Sequence, residues 1–230
     1  MIQLVKLIAK GISMNNNRSI TEQEGFWAGS FGNDYIDRNA NDSVNPAAGN
    51  IELAGNIYLF SKIWQHVRGV NSVIEFGANI GHNLDAINHL APGIHSTAVE
   101  INPRAVSILK TRPYIKEVYY QSIIDFSSSN SYDLSFTKGV LIHLAPELLN
   151  SAYEIIYNAS NKYVLFAEYY NPTPVEIKYR GHNEKLYKRD FAGEFLDLFR
   201  DCRLINYGFI YRGDPNFFQD DLTWFLISKY

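Results

Sequence analysis

The chain has 230 residues, a formal net charge of −3 and 46% apolar residues. That length suits one α/β domain with appendages, and the apolar fraction is enough to fill its core. No long Lys or Arg block is present, so the basic face of a non-specific nucleic-acid binder is excluded and only a local patch around Lys178–Arg189 remains. Cys202 is the sole cysteine, so no intrachain disulfide forms, which fits a reducing, cytoplasmic setting. No apolar run approaches the ~18 residues of a membrane span.

Met1–Ile12 is apolar with two lysines and lacks a small-residue cleavage site; it reads as an amphipathic helix, with Met14 a second candidate start. Asn15–Asn17 and Asn39–Asn45 read as loops. Pro46–Val67 reads as a helix, because Leu53, Ile57, Phe60 and Trp64 recur at three or four residues; Asn45 is the candidate cap. Strands are then expected at Ser72–Phe76, Ser96–Val99, Val118–Gln121, Asp133–Thr137 and Tyr163–Ala167. Helices are expected over Gly81–Leu90, Pro103–Lys110, Pro146–Ala159 and Asp190–Phe199. Arg203–Tyr211 and Leu222–Ser228 close the chain as strands, with the turn-like Gly213–Asn216 between them. Such alternation predicts a Rossmann-like, mostly parallel α/β sheet with helices on both faces. The last two strands have no helix between them, and a parallel return needs a crossover. The sheet is therefore expected to have seven strands, with Leu222–Ser228 antiparallel.

The chemistry concentrates in Val73–Asn83, where an apolar strand ends in Glu75 and turns through Gly77 and Gly81 into a helix. Ligands of open α/β sheets bind at the carboxyl ends of strands, and Gly77 lets the backbone turn sharply there. Gly81 lets the helix start pack closely, and Asn79 tolerates a left-handed backbone. Glu100 ends the second strand, 19 positions after Gly81, where a carboxylate accepts hydrogen bonds from ribose hydroxyls. Gln121-Ser122-Ile123 is placed to flank an adenine, and Lys138–His143 leaves the central strand where a reacting group would lie. A dinucleotide pyrophosphate favours G-x-G-x-x-G; here the spacing is G-x-x-x-G, and Glu75 would repel phosphate. The same acid suits the ammonium and sulfonium of S-adenosylmethionine, which favours that cofactor over NAD.

Glu75–Asn83, Glu100, Ser122-Ile123 and Tyr132–Leu144 resemble the successive motifs of class I S-adenosylmethionine-dependent methyltransferases. Phe26–Asn39, Glu168–Pro172 and Tyr179–His182 are similar to a subgroup, the pseudaminic acid biosynthesis-associated methylases. The resemblance implies that Glu75, Gly77, Asn79 and Gly81 line the methionine part, and that Glu100 and Ile101 hold the ribose and one adenine face. It implies Ser122 and Ile123 at the adenine edge and the Lys138 and Gly139 backbone near the sulfonium. Tyr35, Arg38 and Asn39 would fold over the cofactor, with Arg38 on its carboxylate. Two departures are the middle Asn79 and Ser122, which stands where an acid is frequent. Residues 1–45 are accordingly expected to be an extension that covers the cofactor, and 46–230 one methyltransferase domain with an acceptor loop at about 168–189.

Methyl transfer to a hydroxyl or protonated nitrogen needs a proton acceptor, and His143 is the candidate base. Glu168, Tyr169, Asn171, Tyr179, Arg180 and His182 are the candidate acceptor-binding residues, Arg180 for a carboxylate or phosphate. The expected partner is a small, sugar-derived acceptor, of the nonulosonic type that the subgroup name implies. No metal is expected, since no His/Cys/Asp cluster has ligand spacing; no nucleic acid or membrane is expected, and the oligomeric state is left open. Two alternatives stand beside this: a non-catalytic S-adenosylmethionine-binding scaffold protein, and an NAD(P)-dependent oxidoreductase, which Glu75 and the final antiparallel strand disfavour.

Overall fold

A computed structural model describes residues 18–44 and 46–230, with 39–44 and 46–51 at the level of the backbone alone. The Met1–Ile12 helix, the Asn15–Asn17 loop, Met14 and the Asn45 cap lie outside the described residues. The chain begins with α1 (Glu22–Ala28), α2 (Ser30–Val44) and α3 (Pro46–Trp64). β1 (Ser72–Phe76), α4 (His82–Leu90), β2 (His95–Glu100), α5 (Pro103–Leu109), β3 (Ile115–Tyr120) and β4 (Tyr132–Lys138) follow. Then come α6 (Leu149–Ala159), β5 (Ser160–Glu168), a two-residue-per-strand hairpin of β6 (Val175–Glu176) and β7 (Tyr187–Lys188), α7 (Phe191–Leu198), β8 (Cys202–Ile210) and β9 (Leu222–Lys229).

The main sheet has seven strands in the order β3-β2-β1-β4-β5-β9-β8. β1 to β5 pair in parallel, and β9 alone runs antiparallel, to β5 on one side and β8 on the other. This is the expected Rossmann-like sheet. The strand order reverses between β1 and β4, and such a switch point opens a crevice at the carboxyl edge.

Alternation along the strands divides the core into two layers. Val73, Leu134, Phe136, Leu165 and Trp224 face α3 and α4, against Leu59, Phe60, Ile63 and Leu84. Ile74, Phe76, Val164, Phe166 and Ile227 face α6 and α7, against Tyr153, Ile156 and Phe195. Each such buried aromatic or aliphatic side chain contributes about 1.5–3 kcal/mol. Phe60 is among the most buried, while Leu53, Ile57 and Trp64 are half-buried at the margin of the α3–sheet layer. The same alternation places Glu75 and Lys138, in step with Val73 and Phe136, on the α3–α4 face at the carboxyl edge.

Several segments differ from expectation: α3 ends at Trp64, before the expected Val67, and β5 starts at Ser160, three residues before the expected Tyr163, with Asn161 and Lys162 polar and exposed. Asn39–Asn45 was expected as a loop, but α2 continues through Val44; Asn is a poor helix former, and a helix already begun carries it. β3 starts at Ile115, three residues before the expected Val118, because Lys116 and Glu117 on this sheet edge are exposed and break the apolar run.

Candidate functional site

α1 starts with a capping box: Glu24 N donates to Thr21 Oγ1 at 3.2 Å, and Thr21 N donates to Glu24 Oε2 at 2.8 Å. Arg18 extends this cap into a clamp. Its guanidinium donates to both Asp125 oxygens at 2.8 Å and to Glu24 at 2.8 and 2.5 Å. Burial opposes ionisation of Glu24, but hydrogen bonds from Arg18, Ser122 and the Thr21 backbone hold its carboxyl down at about 2. The helices α1 and α2 are thereby pinned over the sheet edge. Gly32 permits the close approach, since a Cβ there would strike the Trp27 carbonyl. On the other side, Lys185 pairs with Glu22 at 2.7 Å.

Beneath this strap lies a cleft at the carboxyl ends of β1, β2 and β4. Of the residues singled out from sequence, Tyr35, Gly77, Asn79, Glu100 and Ile101 line it, as do Ser122, Ile123, Lys138, Gly139 and His143. The turn after β1 is left-handed at Gly77 (φ 73°), Asn79 (φ 47°) and Gly81 (φ 92°). A Cβ on Gly77 would come within 2.5 Å of Val140 Cγ2. Gly81 does not reach the cleft; its bare Cα packs against Leu109 and Arg112.

The two acids meet at this turn. Glu100 Oε2 accepts from Asn79 N and Oε1 from Asn102 N, both at 2.7 Å, which fixes the carboxylate and leaves lone pairs for a ligand. Burial raises its pKa, opposed by these amides. Glu75 lies on the adjacent strand, behind the cleft wall. Asn83 Nδ2 donates to its Oε1 at 2.6 Å, while Oε2 is buried without a partner. Burial pushes Glu75 up to about 8. Arg38 also lies off the described wall, with its guanidinium over the Phe31 and Tyr35 rings and Nη2 buried without a partner. The Asn39 side chain lies outside the described residues.

His143 stands in an aromatic nest, its ring centre 4.5 Å from Trp27 and 5.0 Å from Tyr179. Its Nδ1 is 2.6 Å from the Lys185 carbonyl, which only accepts, so Nδ1 carries the proton and Nε2 the lone pair. Burial pushes its pKa down to about 4. The ring is thus neutral near pH 7, an acceptor of hydrogen bonds and a weak base.

The candidate acceptor residues are arranged otherwise than a substrate-lining set. Glu168 is buried, with its oxygens 3.0–3.3 Å from the amides of Val140 and Leu141; it anchors the loop that carries His143. Tyr169 donates to Asp220 at 2.8 Å. Tyr179 and His182 pack on Phe31 at the rim. Arg180 is exposed over the Tyr179 ring, and Asn171 turns back to the Thr173 carbonyl. None of these six is on the described cleft wall. Among the described residues no cluster of three or more His, Cys, Asp or Glu could hold a metal, and no helix is long and apolar enough to cross a membrane.

The cleft also uses residues that the sequence reading left unassigned: Glu24, Trp27, Glu52, His82 and Asn102. Two carried a signal. Thr21-x-x-Glu24 is a capping box, and Asn102-Pro103 is a cap followed by a first-turn proline. Glu52 had none, since a lone acid on an apolar helix reads as solvent-facing.

The fold is shared with S-adenosylmethionine-dependent methyltransferases. A 1,6-didemethyltoxoflavin-N1-methyltransferase from Burkholderia thailandensis, solved with its substrate and S-adenosylhomocysteine, superposes with a TM-score of 0.63 at 11% identity, over 95% of this chain and 94% of that one. The magnesium protoporphyrin IX methyltransferase of Synechocystis PCC 6803, solved with bound S-adenosylmethionine, gives 0.62 at 11% identity, over 94% of this chain and 100% of that one. A methyltransferase from Leishmania major gives 0.60 at 14% identity, over 79% and 73%. No protein-family model matches the chain, and no curated protein sequence matches it. At these identities the similarity is one of architecture.

Proposed function

We propose that the chain is an S-adenosylmethionine-dependent methyltransferase acting on a hydroxyl or nitrogen of a small acceptor. One observation carries this reading: two carboxylates at adjacent strand ends flank a left-handed turn, and one of them has a buried oxygen with no partner. An unpaired buried carboxylate is costly, and a cationic ligand relieves the cost. The α-amino group of the cofactor supplies that cation, and its carboxylate would meet the unpartnered guanidinium nitrogen of Arg38. Glu100 would take the ribose hydroxyls and Ile101 one adenine face, with Ser122 and Ile123 at the adenine edge. When bound, the cofactor supplies an electrophilic methyl group on a cationic sulfur.

The chain's own residues align and dry the site. α1 and α2 cover it, held by the Arg18 clamp, so residues 18–44 act as a covering segment of the domain from 46 to 230. Glu168 fixes the Gly139–His143 loop, and His143 Nε2 orients an acceptor N–H or O–H. The segment 168–189, with Tyr179 and His182 on the rim, borders the acceptor entrance. Aromatic rings at that rim suit the apolar faces of a sugar. Together with the subgroup resemblance, they support a sugar-derived acceptor of the nonulosonic type.

A thermal-shift titration with S-adenosylhomocysteine tests the reading. Stabilisation is expected, weakened by Glu100→Ala; a shift with NAD and none with S-adenosylhomocysteine would overturn it. Tracing an isotope-labelled methyl group into the small molecules of a native extract then identifies the acceptor.

A further inference from the structure

Three polar residues lie together on one stretch of the cleft wall: Glu52 from α3, His82 from the first turn of α4 and Lys138 from the end of β4. Glu52 and His82 satisfy one another across 2.8 Å. Lys138 does not share that arrangement. Its amine donates no hydrogen bond among the described residues, although its backbone is all that the cofactor assignment uses. A lysine on the wall of a covered cleft, with no protein acceptor for its three protons, calls for a ligand or a chemical role.

We propose that the Lys138 amine takes the proton that the acceptor loses during methyl transfer. The proposal rests on the methyltransferase reading above and names the missing proton acceptor of that site. His143 fits the task poorly, since its ring is held neutral and weakly basic. Burial pushes the pKa of Lys138 down, which favours a neutral amine with a free lone pair. A cationic sulfonium in the same cleft would push it further in that direction. The groups around the amine come from five elements: Glu52 (α3), Glu75 (β1), His82 (α4), Glu168 (β5) and Asp220 (before β9). Their net negative character counters the burial and stabilises the lysinium once formed.

The step balances. A lone pair on the acceptor oxygen or nitrogen forms the bond to the methyl carbon, and the carbon–sulfur bond breaks with its electron pair going to sulfur. The acceptor's proton passes to Lys138 Nζ, and from there to water after the products leave. The site is therefore suited to acceptors that carry both a lone pair and a proton to give, hydroxyls and neutral primary or secondary amines, and not to tertiary amines or thioethers.

Lys138→Met keeps the stem and removes the base; Lys138→Arg keeps the charge and cannot deprotonate near neutral pH. Both are expected to retain measurable S-adenosylhomocysteine binding by calorimetry, since the backbone contact survives, with Lys138→Met the weaker because a charge that helps to ionise Glu75 is gone. Failure of the unaltered protein to bind it would instead sink the methyltransferase reading. Transfer of labelled methyl into the acceptor fraction of a native extract is expected to fall at least ~100-fold in both variants, the scale of a lost general base. A readout independent of turnover is trace acetylation with acetic anhydride across pH 6–11, quantified at Lys138 by peptide mass spectrometry. Lys138 is expected to titrate below the exposed lysines, and lower still with S-adenosylmethionine than with neutral S-adenosylhomocysteine. Titration like an exposed lysine with S-adenosylmethionine bound, or transfer within ~3-fold of normal in Lys138→Met, would overturn the proposal.

Discussion

Glu75 gives the site a pH dependence that can be worked out from its position. Its carboxyl is buried to 0% exposure, has one oxygen on Asn83 and one unpartnered, and is pushed up to about 8. Below that value it is mostly protonated in the free protein, whereas an ammonium ligand requires the carboxylate. With a pKa of about 8, the ionised fraction is roughly 1% at pH 6 and roughly 9% at pH 7. Affinity for S-adenosylhomocysteine should therefore rise about ninefold over that interval, because the competent fraction scales the apparent constant. Binding at pH 7 should release about 0.9 proton, measured by calorimetry in buffers of different ionisation enthalpy. Glu75→Gln keeps the Asn83 hydrogen bond and removes the titration, so its affinity should be lower and flat. The same group acts on stability with a definite sign. Its folded pKa lies above the unfolded 4.5, so the folded state holds the extra proton and the stability contributed is lost as pH rises through about 8. Glu75→Gln should thus raise the melting temperature more at pH 8 than at pH 5. A pH slope that survives in Glu75→Gln, or binding without proton release, would refute the reasoning.

Gly77→Ala places a Cβ 2.5 Å from Val140 at φ 73°, so denaturant unfolding should show a loss of more than about 1 kcal/mol and S-adenosylhomocysteine should bind at least ~10-fold more weakly. Affinity and stability both unchanged would mean that the turn is not held against the loop after β4. Arg18→Ala strands the buried carboxylates of Glu24 and Asp125, at a cost of about 3 kcal/mol. Limited proteolysis should then cut first within α1 and α2, and stopped-flow release of S-adenosylhomocysteine should accelerate. An unchanged release rate would show that the strap does not gate the cleft.

The sheet was legible because short, mostly apolar stretches such as Val73–Phe76 and Val164–Ala167 alternate with helical periods, and because Arg203–Tyr211 and Leu222–Ser228 follow one another without a crossover. The turn was legible through Gly77, Asn79 and Gly81, all of which adopt the left-handed backbone. Less of the strap could be read. α1 and α2 present few buried apolar side chains, Ala28 and Ile36 among them, and owe their position to Arg18, Glu24 and Asn102, polar residues whose partners lie up to 107 positions away. Side-chain direction was likewise hidden. Glu168 stands at a strand end like Glu100, yet alternation turns it towards the amides of Val140 and Leu141 and away from the cleft. For the same reason nothing in the sequence joins Lys138 to Glu52, which are brought together only by packing α3 on the sheet.

Asn102 does three jobs at once. Its amide N–H holds Glu100, its side-chain oxygen caps α5 through Arg104 N and Ala105 N, and its Nδ2 donates to the Trp27 carbonyl and Asn33. Every polar atom is spoken for, so the amide cannot flip without breaking something. The acid that would receive the ribose and the helices that cover it thus share a hinge pin. Any movement of the first helices away from the sheet would therefore be felt at the Glu100 carboxylate through this one residue.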